Sequence, residues 1–166
     1  MKKYGIEFHQ LSVEGCVKYP VHYNIQQNMT HINAMIEAIS THYPDKPILL
    51  WCSGSSGAMI AGIVASRLKN VAVSHVKKES ENAHSSHVNI PSSFAENKLN
   101  FIIDDFIYSG QTVNYIYKRM REKYPFIKVD CLVVSSTVKI KNLDFDPVAV
   151  ISGRLCEPKV EEVEED

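Results

Sequence analysis

The stretch from Asn100 to Thr112 constrains this chain more than any other: Asn-Phe-Ile-Ile-Asp-Asp-Phe-Ile-Tyr-Ser-Gly-Gln-Thr. It opens on an apolar run, Phe101 to Ile103, short and β-prone enough to be a buried strand. Asp104 and Asp105 stand at the carboxyl end of that strand. A small polar turn, Ser109-Gly110-Gln111-Thr112, then leads into a segment of helical period. In open α/β sheets, ligands bind outside the carboxyl ends of the strands. A helix N-terminus at the same place offers backbone N–H groups and the positive end of a dipole, both suited to a phosphate. A sugar phosphate fits this combination, with carboxylates accepting from ribose hydroxyls and amides holding the phosphate.

The rest of the chain repeats the strand–helix alternation. Ile32, Met35, Ile36 and Ile39 recur at helical spacing, with Asn28 or Thr30 as the cap and Pro44 and Pro47 ending the helix. Pro47 to Cys52 is a continuous apolar run, the pattern of a central strand covered on both faces. The turn Ser53-Gly54-Ser55-Ser56-Gly57 follows, and then Ala58 to Leu68 reads as a buried helix. Val71 to Val76 is the next strand, and residues 77–97 form a long, polar, aperiodic loop of the kind used as a lid. Beyond the central motif, Val113, Ile116, Met120 and Tyr124 mark one helical face. Ile127 to Val134 predicts a strand, at least over 128–134, with Cys131, Leu132, Val133 and Val134 at its core, and Val148 to Ile151 predicts a last one. At the N-terminus, Gly5 to Val13 and Cys16 to Tyr23 read as short β-like pieces.

These pieces predict an α/β fold with a mainly parallel central sheet flanked by helices. One domain spans residues 1–156, with a small hood-like lobe at 1–27 and a lid loop at 77–97. Residues 157–166 form an acidic tail, expected to be disordered. The two polar turns, after Cys52 and after Asp105, should emerge at the same edge of the sheet.

An apolar strand, two acidic residues, two further residues and a small-residue loop ending in Thr resemble the phosphoribosyl pyrophosphate (PRPP) motif of type I phosphoribosyltransferases. Phe106 and Tyr108 are bulkier than the residues usual at their positions. The resemblance implies transfer of ribose 5-phosphate from PRPP to a purine or pyrimidine base, with release of pyrophosphate. It implies that Ser109, Gly110, Gln111 and Thr112 hold the 5′-phosphate and that Ser53 to Gly57 (Ser53, Gly54, Ser55, Ser56, Gly57) take the pyrophosphate. The latter loop lacks the Arg or Lys that many family members carry there. Asp104 and Asp105 would secure the ribose hydroxyls and water on a magnesium ion, Mg2+ being the cofactor bound with PRPP. Lys77-Lys78-Glu79-Ser80-Glu81-Asn82-Ala83-His84 resembles the mobile loop of the orotate subgroup, with Lys77 and Lys78 as catalytic cations and His84 as a further lid residue. Glu81 falls near a lysine of that pattern, the histidine is displaced by one residue, and Ser85 replaces a glycine. Residues 1–27, Ser135 to Thr137 and Arg154 are the candidates for base recognition.

Composition narrows the alternatives. The chain has 166 residues, 45% hydrophobic and 22% charged, enough for one domain with a full core. A net charge of −1 advertises no nucleic-acid partner, and no apolar run approaches a membrane span. Four scattered cysteines, without a Cys-x-x-Cys pair, suit a reducing cytoplasm. Ser55 lacks the Gly-x-Ser-x-Gly frame of a serine hydrolase, since Ser53 stands two before it. Cys52 lacks the arginine a cysteine phosphatase would carry six residues on, where Ala58 stands. The seven histidines show no His-Glu-x-x-His spacing, and His31 and His42 read as helix-surface residues. The remaining alternative is a non-catalytic PRPP- or nucleotide-binding regulator on the same fold. Monomer and homodimer both stay open.

Overall fold

The apolar runs become strands, and the segments of helical period become helices. The structure is a computed structural model that describes residues 2–3, 6–11, 25–78, 95, 97–107, 109–137 and 142–153, the side chains of 2, 3, 27, 136 and 137 excepted. Its elements are β1 (Lys2–Lys3), β2 (Ile6–Gln10), α1 (Ile25–His42), β3 (Ile48–Cys52), α2 (Gly54–Ser66), β4 (Val71–His75), β5 (Leu99–Ile107), α3 (Gln111–Lys123), β6 (Cys131–Thr137) and β7 (Ala149–Ser152). The strands form one sheet in the order β1-β2-β7-β6-β5-β3-β4. All neighbours run parallel except the two-residue edge strand β1, which pairs antiparallel with β2.

The central strand β3 shows why the sheet must be covered on both faces. All five of its side chains are buried, and they alternate between two cores. Ile48, Leu50 and Cys52 pack with Ile32, Met35 and Ile39 of α1 and Ile60, Ala61 and Val64 of α2. Leu49 and Trp51 pack with Val113, Ile116 and Met120 of α3. Helices α1 and α2 therefore cover one face and α3 the other, giving three layers.

The chain order reverses between β3 and β5. From β3 the chain steps outward to β4, then returns across β3 to β5 and continues through β6 and β7 on the other side. Because α2 follows β3 on one face and α3 follows β5 on the opposite face, the two crossovers part there and leave a crevice.

Buried polar groups fasten the amino end of this strand pair. The indole N–H of Trp51 donates to Asn100 Oδ1 at 2.9 Å. The Asn100 amide donates to the carbonyls of Ala95 and Lys98, and its backbone N–H donates to Asp130 Oδ2. Such a network fixes the register and satisfies the Trp51 and Asn100 donors it buries.

Several boundaries differ from the sequence reading. Helix α1 is already formed at Ile25, so Asn28 and Thr30 lie inside it and do not cap it. Strand β5 runs on to Ile107, with Phe106 and Ile107 paired to Ser136 and Thr137, so the acid pair sits within the strand. Strand β6 starts at Cys131, not near 128, because the chain leaving α3 first turns, with the Ile127 N–H bonded back to the Tyr124 carbonyl. Residues 6–10, assigned above to a lobe beside the sheet, pair parallel with β7 inside the main sheet. The second β-like piece (16–23), most of the lid and the acidic tail lie outside the described residues.

A close backbone approach closes the sheet between β6 and β7. A Cβ on Gly153 would overlap the carbonyl oxygen of Ser135, whereas a Cβ on Gly62, in α2, would meet nothing within 4 Å. Gly153→Ala should therefore lower stability by about 1–3 kcal/mol, because backbone must move to admit the methyl. Gly62→Ala should leave stability unchanged or raise it by up to about 1 kcal/mol through helix propensity. Urea unfolding of both variants checks the contrast.

Candidate active site

At the carboxyl edge of the sheet, β5 outruns its neighbour. Trp51 pairs with Ile102 and β3 stops at Cys52, so Asp104 to Ile107 extend past the end of β3. The space left over is a cleft of about 380 Å³. Its walls are Ser53 to Gly57 on one side and Ser109 to Val113 on the other, with Asp104, Asp105, Phe106 and Ile107 between them and Lys78 at the edge. Every residue assigned above to the two phosphate sites and to the acid pair lies on this one cleft.

Both side walls are helix N-termini. Helix α2 starts at Gly54, so most of the Ser53–Gly57 stretch, expected as a loop, is the first helical turn. Helix α3 starts at Gln111 behind Gly110, whose φ of 86° is left-handed and suits glycine. Neither N-cap residue bonds the helix through its side chain, and neither first turn carries an acidic residue. Two positive helix ends thus meet at the cleft without an anion of the chain's own in the first turn to cap them. The Ser53 hydroxyl is engaged elsewhere, donating to the Val76 carbonyl at 2.7 Å. The Ser109 hydroxyl accepts from the Gln111 N–H at 3.3 Å. Asn114 braces the α3 wall, donating from its amide to the Asn142 carbonyl and accepting from the Asp144 N–H.

The acid pair is buried, with Asp104 7% and Asp105 5% exposed. Asp104 Oδ1 accepts from the Asp105 N–H at 2.9 Å, and Asp105 Oδ1 accepts from the Phe106 N–H at 2.8 Å. Burial and the adjacent Asp105 carboxylate push the Asp104 carboxyl well above its ordinary range, and the Lys78 ammonium works against that shift. Burial, with Asp104 beside it, pushes the Cys52 thiol up to about 12, which rules out a resting thiolate nucleophile there.

Lys78 comes in from beyond β4. Its Nζ lies 3.6 Å from the position a Cβ would take on Gly54. An ammonium thus reaches the first turn of α2 from the segment that follows β4. Lys77 does not line the cleft; its carbonyl accepts a hydrogen bond of 2.8 Å from the Tyr115 hydroxyl. His84 and Tyr108 lie outside the described residues. Sequence reasoning missed Ile107 and Val113 as cleft residues and Tyr115 as a neighbour of the site. Tyr115 falls between the apolar positions that mark the buried face of α3, so periodicity carries no sign of it.

The donor set bears on a metal. Among the described residues, no group of three or more His, Cys, Asp or Glu side chains could hold an ion. Two hard carboxylates facing a phosphate-sized cleft fit magnesium bound mainly through ligand oxygens and water, and they do not fit an all-protein cage.

The family model of the phosphoribosyl transferase domain matches residues 22–152. The chain belongs to the phosphoribosyltransferase family. Solved structures agree at the level of fold. A purine phosphoribosyltransferase from Pyrococcus horikoshii superposes with a TM-score of 0.56 at 12% identity, covering 93% of this chain and 94% of that one. An adenine phosphoribosyltransferase from Trypanosoma brucei, in complex with AMP, pyrophosphate and ribose 5-phosphate, gives 0.57 at 12% identity over 81% and 67%. An orotate phosphoribosyltransferase from Aeropyrum pernix gives 0.51 at 12% identity over 78% and 75%. No curated protein sequence matches the chain. Family membership makes this phosphoribosyltransferase a glycosyl-transferring enzyme. Among the described residues, no helix is long and apolar enough to cross a membrane.

The buried acid pair has a consequence for stability. A carboxyl whose pKa is raised by folding binds more protons folded than unfolded, so stability falls as pH rises from its ordinary value of 3.8 through its folded value. Asp104→Asn removes that penalty. It should raise stability near pH 8 by about 0.5–2 kcal/mol, in the range usual when a functional strain is removed. The gain should vanish below pH 3.8. Thermal unfolding of both proteins across that pH range checks the sign.

Proposed function

We propose that this phosphoribosyltransferase transfers ribose 5-phosphate from PRPP to a ring nitrogen of a purine or pyrimidine base, orotate included, and releases pyrophosphate. One observation carries the reading: two helix N-termini, two buried carboxylates and Lys78 share a single cleft. PRPP presents the matching groups, with a phosphate at one end, ribose hydroxyls in the middle and a pyrophosphate at the other.

In this reading the N–H groups of Ser109 to Thr112, at the start of α3, hold the 5′-phosphate. The N–H groups of Gly54 to Gly57, in the first turn of α2, hold the pyrophosphate, with Lys78 beside Gly54. Asp104 and Asp105 accept from the ribose hydroxyls between the two sites and thereby fix C1 of the ribose. Asp104 and Asp105 would hold magnesium through water when it is bound with the donor, and the ion would supply positive charge against the pyrophosphate. The C1–O bond to pyrophosphate breaks as the base nitrogen bonds C1 from the opposite side, through an oxocarbenium-like state, and the proton on that nitrogen leaves to water or to the departing pyrophosphate. Positioning and electrostatics carry such a step, with little demand for proton transfer. Negative charge grows on the departing pyrophosphate, so the helix end and Lys78 stabilise the transition state more than the ground state.

Incubating the protein with PRPP, magnesium and a panel of purine, pyrimidine and orotate bases tests the proposal. Pyrophosphate release that depends on one base is the expected result and names the acceptor. Donor binding without release on any base would overturn it in favour of a regulator. In the active case, changing Asp104 and Asp105 together to Asn should cut turnover on the order of 100- to 1000-fold.

A further inference from the structure

The segment that carries Lys78 into the cleft is held at consecutive residues. The Val76 N–H donates to the Cys52 carbonyl at 2.8 Å, and its carbonyl accepts from the Ser53 hydroxyl at 2.7 Å. Val76 is thus tied to the end of β3 and to the cap residue of α2, and its side chain is fully buried. One residue later the anchor changes sides. The Lys77 carbonyl accepts from the Tyr115 hydroxyl, 38 residues away in sequence on α3. Residues 76 and 77 therefore bridge the crevice from the α2 wall to the α3 wall, and Lys78 is the next residue out.

Tyr115 is itself braced. The Arg119 Nε–H donates to the Tyr115 hydroxyl at 3.1 Å, and the guanidinium carbon lies 5.2 Å from the centre of the Tyr115 ring. Arg119 Nη1 pairs with Glu122 at 2.8 Å. The spacings of four and three residues put these side chains along one stripe of α3. The bonds run in a single direction, Arg119 to the Tyr115 oxygen and the Tyr115 proton to Lys77, so each polarises the next.

We propose that Tyr115 is a positioning residue for Lys78: by holding the Lys77 carbonyl against α3, its hydroxyl aims the Lys78 ammonium across Gly54 into the cleft. The consequence for turnover rests on the pyrophosphate reading above; the geometric claim does not. A flexible lysine is a poor transition-state stabiliser unless its backbone is fixed, since a misplacement of about 1 Å costs on the order of 100-fold where geometry is critical. Among the described residues Tyr115 does not line the cleft, and in this proposal it acts through its neighbour.

Tyr115→Phe keeps the ring and its packing and removes only the hydroxyl. Tyr117→Phe is the control, because that hydroxyl sits on the same helix and accepts from Arg121 at the surface. Tyr115→Phe should lower kcat on the order of tenfold, with KM for PRPP changed less than about twofold, the split expected when only transition-state stabilisation is lost. In a Lys78→Ala background the same change should have no further effect, because the aimed group is gone. Additive losses, or an equal loss in Tyr117→Phe, would overturn the proposal. A second readout needs no turnover: competitive amine labelling of the ligand-free protein, read by mass spectrometry. Lys78 should label at a rate altered severalfold in Tyr115→Phe, while Lys46 stays unchanged. If no base supports turnover in the wild type, the functional reading fails and labelling alone decides the inference. An unchanged Lys78 rate would then overturn it.

Discussion

Strands β3 and β5 lie side by side although a helix, a strand and a long connection separate them in the chain, and the site depends on this pairing. Its amino end is closed by buried bonds. Trp51 reaches Asn100, Asn100 reaches Ala95, Lys98 and Asp130, and the Leu99 N–H donates to the Pro47 carbonyl. Its carboxyl end is open, because α2 leaves β3 on one face and α3 leaves β5 on the other. Backbone polar groups that would be satisfied inside the sheet are presented there to whatever enters the crevice. The strand pair is a rigid clamp at one end and a receptor at the other.

The receptor end breaks the rule that the amino end obeys. Two adjacent carboxylates are buried side by side, each accepting from the backbone N–H of the next residue. Taking charges out of water costs several kcal/mol per ion unless compensated. The compensation inside the protein is partial: Lys78 lowers the Asp104 pKa, but burial and Asp105 outweigh it. Each helix terminus adds roughly half a positive charge. The resulting field asks for a ligand with hydroxyl donors in the middle and anions at either side. A ribose carrying phosphate groups at both ends has that order of groups.

How far this was legible in the sequence depends on the range of the interaction that decides each feature. Strand β3, with its five apolar residues, and the helical stripe Val113–Ile116–Met120 stand out because each is decided by its own buried face. The acid pair and the Ser109–Thr112 turn were readable for the same reason, as a short local pattern. Boundaries were less readable: nothing local signals that β5 runs on to Ile107, because its partner there is the far end of β6. Residues 6–10 read as an accessory piece, since their alternation shows one buried face but not which strand they adjoin. Asn100 carries no local sign that its side chain and backbone join three chain segments. Tyr115 was invisible because its partner is a backbone carbonyl, and every residue carries one.

The absence of a basic residue between Ser53 and Gly57 has a geometric reason in the sheet. Cys52 of β3 pairs with His75 of β4, so the chain leaving β4 starts level with the first turn of α2. A side chain at position 78 can therefore occupy space that a long side chain in the turn itself would need. Gly54 keeps that space open, and its left-handed φ of 77° disfavours any residue with a Cβ. Adding a lysine to the turn would bring a second ammonium up against Lys78. The nearby ammonium belongs to the segment after the adjacent strand, and the first turn of α2 faces the cleft with its backbone. In the proposed reading, a cation held there by contacts to α3 would leave the helix end it serves undisturbed, and the two halves of the anion site would be fixed from opposite walls of the crevice.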